Sequence, residues 1–246
     1  MKRVLCSFHT EDTPSMVIYP DGRYKCFGCG AYGKGDAQYT PVVKEKEDIV
    51  ESIAYIESLP KKEIRGLELP YDGEYYYVLW SNRKYYKKRS ISESKAKYLS
   101  PIGHTKPLYT CNTPNNKNTI VIVEGEINAI SLCNTLSDNS YHLVSPGSST
   151  DFCRSVYIDY YTKFDSAVII VDKDPSGVRF GLELKFKLKS LGMNVTLYLI
   201  EEDFNDLLTK YGKEKVKEEF NKALGVLKLS SRHILRSTLR GSNAKT

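Results

Sequence analysis

Two close pairs of metal-binding side chains lie near the amino terminus. They are Cys6-x2-His9 and, after sixteen intervening residues, Cys26-x2-Cys29. Thiolates and imidazoles in two such pairs can surround a tetrahedral Zn²⁺ ion. Glycines beside the second pair allow the backbone to turn its amides toward the sulfurs. The pattern predicts one structural zinc ion, and the alternative is a set of reduced thiols beside a surface histidine.

The residues between these pairs read as a small hairpin. Ser15–Tyr19 and Arg23–Lys25 have strand character, and Pro20-Asp21-Gly22 is a turn signal. A segment of about 40 residues with so little core needs a metal to fold. We therefore predict a zinc-ribbon domain over residues 1–40. Its cations and tyrosines suit single-stranded nucleic acid, or else form an ordinary solvated surface.

A second group of chemically capable residues consists of acids that follow apolar runs. Glu124 comes directly after residues 119–123, and Asp172 and Asp174 follow residues 167–171. The carboxyl ends of parallel strands meet at one edge of a sheet, where ligands bind. Carboxylates gathered there repel one another unless a cation lies among them, and Mg²⁺ or Mn²⁺ suits such oxygen ligands. We therefore predict a divalent-metal site.

Helix capping is the alternative role for some of these acids. Asp174 precedes Pro175-Ser176-Gly177 and could cap a helix that begins there. After the next strand, Asp203 or Asp206 could complete the metal shell. Asp203 or Asn205 could equally cap the following helix. Spacing alone leaves both readings open.

The elements that would position the acids alternate between strand and helix. Besides the two apolar runs, residues 141–145 and 194–200 read as strands, and 127–136 and 177–192 read as helices. This alternation predicts an α/β domain with a mainly parallel sheet over residues 119–210. No phosphate loop of the type used by ATP-driven motors is present.

The middle of the chain is strongly basic. Residues 67–91 read as short strands within a predicted basic subdomain of residues 67–118. The stretch 81–106 has eight basic residues and one acidic residue, a net +7. The whole chain has 36 Lys and Arg against 30 Asp and Glu, a net +6. Such local concentration favours a polyanion as partner, and the alternative is a strand edge protected by lysines. The basic residues of the stretch are Arg83, Lys84, Lys87, Lys88, Arg89, Lys95, Lys97 and Lys106.

The remaining segments complete the predicted domain order. Residues 41–66 are predicted as a helical linker, with apolar residues at helical spacing and a lysine-rich tether, and 211–246 as a carboxyl-terminal helix with a basic tail. No apolar run approaches the ~20 residues of a membrane span, and the amino terminus is unlike a signal peptide, so we expect a cytoplasmic protein with no membrane partner. Cys111, Cys133 and Cys153 are predicted to be small buried hydrophobes.

Taken in order, these motifs resemble the DnaG-type primases, including the primase halves of phage primase–helicases. The resemblance rests on the Cys/His pairs with Cys26-Phe27-Gly28-Cys29-Gly30, on Glu124-Gly125, and on Asp172-x-Asp174. The last two elements are the signature of the TOPRIM domain. Lys97-Tyr98-Leu99-Ser100-Pro101 is similar to a stretch of the family's basic polymerase subdomain. The implied fold is α/β: a small β zinc ribbon, a basic α+β subdomain and a TOPRIM subdomain.

The activity implied by the resemblance is synthesis of short RNA primers from NTPs on a single-stranded DNA template. By position, Asp172 and Asp174 would hold the Mg²⁺ or Mn²⁺ ions that bind the incoming triphosphate, with Asp206 as a further candidate. Glu124 would be a metal ligand or an acid/base at the 3′-hydroxyl. These assignments make the three acids of the two TOPRIM elements the catalytic residues.

The same resemblance implies roles for other parts of the chain. Lys97, with Arg83 or Lys87, would contact template or triphosphate. The zinc ribbon would help to select the initiation site, and a separate replicative helicase would be a partner. A compact stand-alone primase from a phage or mobile element is the expected setting.

One departure from the family pattern and two alternatives stay open. Many relatives carry Asp four residues after the glutamate, where this chain has the neutral Asn128. The chain could instead be another TOPRIM protein, such as a metal-dependent nuclease or repair factor. It could also be a non-catalytic module that binds single-stranded DNA in a replisome.

Overall fold

The computed structural model describes residues 1–6, 8, 14–35, 46–91, 98–111, 118–136 and 141–225. His9, Lys97 and the predicted basic tail, residues 228–246, lie outside these ranges. Contacts within the chain divide it into two units. Unit 1 comprises Met1–Lys62 and Leu69–Pro107, and unit 2 comprises Glu63–Glu68 and the residues from Leu108 onward.

Unit 1 begins with a four-stranded antiparallel sheet in the order β1-β2-β3-β4. The predicted hairpin is β2–β3, and the strands β1 and β4 extend it on either side. Its small core contains two of the predicted zinc ligands, Cys6 and Cys26, together with Met16, Tyr24 and Ala31. The strand bounds are β1 Lys2–Val4, β2 Met16–Ile18, β3 Arg23–Cys26 and β4 Tyr32–Lys34.

The next segment is a helix followed by a hairpin. Helix α1 spans Ile49–Ser58, and the Asp48 carboxylate caps it by accepting hydrogen bonds from the first-turn amides. Strands β5 (Lys61–Ile64) and β6 (Leu67–Pro70) then pair with each other. The lysine-rich run predicted as a tether is therefore a β-strand.

The basic stretch forms a three-stranded antiparallel sheet of β7 (Tyr75–Leu79), β8 (Tyr86–Ser90) and β9 (Tyr98–Leu99). Its buried face packs Tyr77 and Tyr86 against α1. Both tyrosine hydroxyls donate hydrogen bonds to carboxylates, Tyr77 to Asp72 and Tyr86 to Glu47. These pairings satisfy polar groups that would otherwise be costly to bury.

Unit 2 contains a five-stranded sheet in the order β10-β12-β11-β13-β14. Strands β11 to β14 are parallel, and only the edge strand β10 is antiparallel among these five. The predicted α/β class with a mainly parallel sheet is confirmed. The elements are β10 Tyr109–Thr110, β11 Thr119–Val123, α2 Glu126–Thr135, β12 His142–Ser145, α3 Ser155–Tyr161, β13 Ser166–Asp172, α4 Pro175–Ser190, β14 Asn194–Ile200, α5 Phe204–Tyr211 and α6, residues 213–225.

The core of unit 2 explains the apolar runs. Every residue of Ile120–Val123 and Ala167–Val171 is buried, because helices cover both faces of the central strands. Leu184 and Leu188 of α4 pack against this sheet. In the described ranges, no helix combines the length and apolar character needed to span a bilayer.

The prediction for the scattered cysteines was wrong for one pair. Cys111 and Cys133 form a disulfide, with 6.3 Å between their Cα atoms, and both are only partly buried. The bond joins the end of β10 to helix α2. These cysteines are 22 residues apart, and the sheet order brings them together. Cys153 is also partly buried, and burial raises the pKa of its thiol to about 11.

The disulfide predicts how many cysteines react with an alkylating agent before and after reduction. Protein purified in air, then denatured and alkylated with a chelator present, should show four modified cysteines without reductant and six after reduction. Mass spectrometry of the intact chain measures both numbers. Six modified cysteines without reductant would contradict the bond. The Cys153→Ser variant is the control, because it should lower both counts by one.

Candidate functional site

The carboxyl ends of the parallel strands place acids along one edge of the sheet of unit 2. Glu124 follows β11, Asp172 is the last residue of β13, and Asp174 caps α4. After the neighbouring strand β14, Asp203 caps α5 and Asp206 lies in its first turn. We call these five carboxylates the acidic edge. The two elements predicted to carry catalytic acids therefore do meet.

The neighbouring acids affect the ionisation of Asp172. Burial raises the pKa of Asp172 to about 6, and the negative charges of Glu124, Asp203, Asp174 and Asp206 add to the rise, in that order. Like charges disfavour the ionised form, so this carboxylate is strained electrostatically at neutral pH. A bound cation would relieve that strain.

Two of the acids also cap helices, as the alternative reading proposed. Asp174 Oδ1 accepts a hydrogen bond from the Gly177 amide at 2.6 Å, and Asp203 Oδ1 accepts one from the Asp206 amide at 2.7 Å. An ionised carboxylate has two oxygens and about four acceptor positions. Capping therefore fixes these side chains at the edge without exhausting their capacity to bind a cation.

Gly177 brings helix α4 close to the acids. A Cβ atom at this position would lie 2.4 Å from the Asp172 carbonyl oxygen and 3.2 Å from Glu124 Oε2. The first distance involves backbone, which cannot move aside cheaply. Only glycine lets the first turn of α4 pack against both acids.

Ser145 fixes the backbone that carries Glu124. Its buried hydroxyl donates a hydrogen bond to the Glu124 carbonyl oxygen at 3.0 Å and accepts one from the Gly147 amide at 2.9 Å. This serine ends β12, the strand next to β11. No local sequence pattern indicates this role, because the contact depends on strand order.

The departure at position 128 has a structural explanation. Asn128 Oδ1 accepts a hydrogen bond from the Asn205 amide at 3.1 Å. Asn205 is fully buried, and its Nδ2 donates to Ser131 Oγ at 3.1 Å and to the Arg65 carbonyl oxygen at 2.9 Å. Asn128 therefore joins α2 to the start of α5 as a neutral, buried side chain.

The acidic edge fits a hydrated divalent ion. Its donor atoms are carboxylate oxygens, which Mg²⁺ and Mn²⁺ prefer. Across the described part of the chain, no three carboxylates have oxygens all within 4.8 Å of one another. Mg²⁺ usually keeps several waters and binds substrate phosphates through its remaining positions, so a wider spacing suits it. Asp206 differs from the other acids because it forms an ion pair with Arg65.

The predicted zinc ligands that the structure describes lie together. The sulfurs of Cys6, Cys26 and Cys29 are all within 4.8 Å of one another, and those of Cys6 and Cys29 are 3.7 Å apart. A Zn–S bond of 2.3 Å in a tetrahedron requires sulfurs about 3.8 Å apart. The cluster therefore fits zinc as three of its four ligands, and His9 lies outside the described residues.

Local donors prepare Cys26 for metal binding. Burial alone would raise its pKa, but hydrogen bonds from Ser15 Oγ and from the amides of Gly28 and Cys29 hold the pKa below its usual value. Burial raises the pKa of Cys6 to about 12. A metal ion must therefore displace the Cys6 proton, which couples zinc binding to pH.

The sheet β7-β8-β9 presents cations beside an aromatic ring. The Lys87 ammonium lies 4.5 Å and the Arg89 guanidinium 5.0 Å from the centre of the Tyr98 ring. We call these three residues the basic face. Arg83 is placed differently, at the turn between β7 and β8, where it pairs with Glu57 at 3.0 Å. Lys97 lies outside the described residues.

Comparison with known proteins identifies two regions. Residues 3–64 match the family described as CHC2 zinc finger, and residues 121–208 match the family described as Toprim-like. DNA primases of Chlamydia pneumoniae and Chlamydia trachomatis are 56% and 50% identical over 32 residues. That match covers 13% of this chain and 5% of each of those primases. The predicted resemblance to DnaG-type primases is confirmed by these matches.

Two solved structures are similar across most of the chain. The primase fragment of the bacteriophage T7 primase-helicase protein is 15% identical with a TM-score of 0.48, covering 89% of this chain and 98% of that one. The zinc-binding and RNA polymerase domains of the Aquifex aeolicus primase are 16% identical with a TM-score of 0.47, covering 89% and 78%.

Proposed function

We propose that this chain, a CHC2 zinc ribbon joined to a Toprim-like region, is a DNA primase. It would synthesise short RNA primers from NTPs on single-stranded DNA by nucleotidyl transfer. Single-stranded DNA and NTPs are its proposed partners, together with a separate helicase. The proposed cofactors are one structural Zn²⁺ ion and catalytic Mg²⁺ or Mn²⁺.

One observation carries the proposal: the acidic edge gathers the acids of three parallel strand ends around Asp172, where burial and then their negative charges raise its pKa to about 6. A surface that only bound DNA would gain nothing from negative charge. Phosphoryl transfer needs cations held where the triphosphate's charge develops. Clustered carboxylates provide that binding site.

We assign roles to the residues of the acidic edge from their positions. Asp172 and Asp174 would bind the divalent ions, and the cap formed by Asp174 would keep its carboxylate at the edge. Glu124 contributes the largest of the charges that raise the pKa of Asp172, so we assign it to metal binding as well. Divalent ions bound there would neutralise the triphosphate and polarise its reacting phosphorus.

A priming assay tests the proposal. Zinc-loaded protein, Mg²⁺ and labelled NTPs are incubated with single-stranded templates that cover all trinucleotides. Labelled oligoribonucleotides are expected on a subset of the templates. Their absence on every template, with and without a helicase, would overturn the proposal. Metal-dependent nicking of DNA without NTPs would instead indicate a nuclease.

The basic face predicts a contribution to template binding. A Lys87→Gln/Arg89→Gln double variant should bind single-stranded DNA about 10-fold more weakly near 0.1 M salt. The negative slope of log affinity against log salt concentration should become shallower by about 1.4, since each lost phosphate contact accounts for about 0.7. Fluorescence anisotropy with a labelled oligonucleotide measures both quantities.

The matched control for the basic face is Lys215→Gln/Lys217→Gln. These partly exposed lysines of α6 pair with glutamates on the same helix. The change in net charge is the same, but we expect an unchanged salt slope. Equal losses in both double variants would show that only overall charge matters.

A further inference from the structure

An arginine from a part of the sequence far from these acids contacts the acidic edge. Arg65 lies at the tip of the β5–β6 hairpin, and its guanidinium forms an ion pair with Asp206. The hairpin tip belongs to the same unit as the Toprim-like region. The negative charge of Asp206 is one of those that raise the pKa of Asp172. The cation therefore lies beside the proposed metal site.

The backbone at Arg65 has an unusual conformation. Its φ is +53°, in the left-handed region that residues with a Cβ atom rarely adopt, and Gly66 follows with φ +73°. Asn205 Nδ2 and Thr209 Oγ1 both donate hydrogen bonds to the Arg65 carbonyl oxygen, at 2.9 and 3.2 Å. Helix α5 therefore holds this residue by its backbone and by its side chain.

Stability alone does not explain an arginine at this position. Glycine or asparagine would adopt the left-handed conformation more readily. The Arg65 and Asp206 side chains are 37% and 39% exposed, and ion pairs that exposed contribute little to folding. A strained residue that the surroundings hold firmly often serves a site.

The guanidinium also has unused capacity. Only Nη2 contacts Asp206, while a guanidinium has five N–H donors. Within the described ranges, its other donors have no protein partner. Two further cations pair with acids in this region, Lys173 with Glu201 and Lys210 with Glu202. Neither of those acids is among the four charges that contribute most to the raised pKa of Asp172.

We propose that Arg65 binds the phosphates of the incoming nucleoside triphosphate, with Asp206 holding the guanidinium in place. This inference rests on the proposed function. A guanidinium presents parallel donors that match phosphate oxygens, and it is always charged. Asp206 is then a positioning residue rather than a metal ligand, which revises the role that the sequence suggested for it.

The test uses the Arg65→Gly variant of the full chain. Glycine removes the guanidinium and accepts the backbone conformation, so we expect a Tm within about 2 °C of the wild type. The affinity for a fluorescent NTP in the presence of Mn²⁺ should fall roughly 10- to 100-fold, the value of a lost charge-assisted contact. Affinity for Mn²⁺ alone, measured by titration calorimetry, should not weaken.

Two further variants sharpen the result. Arg65→Lys keeps the charge without the planar donors, and it should bind the NTP with intermediate affinity. Lys210→Met removes a cation of α5, the helix that carries Asp206. Lys210 pairs with Glu202, so this variant should bind the NTP like the wild type. Should Arg65→Gly fail to fold, the NTP affinity of Arg65→Lys decides between the two outcomes.

Several results would overturn the inference. Wild-type NTP affinity in Arg65→Gly, or in Arg65→Lys where that variant decides, would assign Arg65 to structure alone. Weaker binding of single-stranded DNA with unchanged NTP affinity would assign it to backbone phosphates. A wild-type protein that binds Mn²⁺ and NTP but makes no primers would overturn the proposed function and leave the role of Arg65 intact. A wild type without NTP affinity would overturn both.

Discussion

Replacing Asp172 by Asn should strongly reduce primer synthesis while making the metal-free protein more stable. Removing one charge-stabilising group typically lowers catalysis roughly 100- to 1,000-fold. Burial and four neighbouring acids raise the pKa of Asp172, so the ionised form destabilises the folded chain. Because the side chain is only half-buried, neutralising it should add on the order of 1 kcal/mol to the free energy of unfolding.

The pH dependence of stability provides a separate measurement. The folded-state pKa of about 6 exceeds the ordinary value of 3.8. The protonated group therefore favours the folded state below about pH 4, and this contribution is lost as pH rises through 6. Thermal unfolding without divalent ions should show this loss in the wild type and not in Asp172→Asn.

Two controls accompany the Asp172 variant. Asp165→Asn changes an exposed acid just before the opposite end of β13, and it should alter neither activity nor the pH profile. Added Mg²⁺ should raise the Tm of the wild type and have less effect on Asp172→Asn, because ligands stabilise the state that binds them. An Asp172→Asn protein that keeps full activity would contradict the metal site.

Replacing Cys26 by Ser should remove zinc and unfold the amino-terminal sheet. Cys26 is fully buried, and its sulfur lies at the centre of the ribbon's hydrogen bonds. A small domain of this kind depends on its metal for folding. Zinc content should fall from about one ion per chain to below about 0.1. Under the proposed function, primer synthesis should fail as well, because the ribbon would help to select the initiation site.

Limited proteolysis and metal analysis check the Cys26 prediction. Cleavage should become rapid within residues 1–35, while the fragment that contains the Toprim-like region survives. Cys153→Ser is the matched control because that thiol lies outside the sulfur cluster. Full zinc content in Cys26→Ser would show that the three-sulfur cluster does not bind the ion.

The sequence predicts those parts of the fold that depend on local pattern. Continuous β-branched runs correctly marked β11 and β13, because strands covered on both faces must be apolar throughout. The spacing of the zinc ligands and a turn signal were enough to predict the β2–β3 hairpin. The acids at the ends of buried strands could also be found, since strand direction alone brings them to one edge.

Contacts between segments that are distant along the chain could not be predicted from the sequence. Arg65 and Asp206 are 141 residues apart, and nothing in either local pattern indicates the other. The Cys111–Cys133 bond was missed for the same reason, because it depends on the pairing of β10 with β12. At Asp174, spacing alone posed capping and metal binding as alternatives, whereas a carboxylate can accept one amide and still hold further ligands.

The glycine at position 177 fixes the distance between helix α4 and two residues of the acidic edge. A hydrogen atom is the largest substituent that fits between the helix and the carbonyl group of Asp172. If α4 moved along the sheet, it would press against both the Asp172 peptide group and the Glu124 side chain. Steric contact with α4 thus limits movement of the carboxyl ends of β11 and β13. Glu124 and Asp172 can therefore keep their relative distance despite the repulsion between their charges.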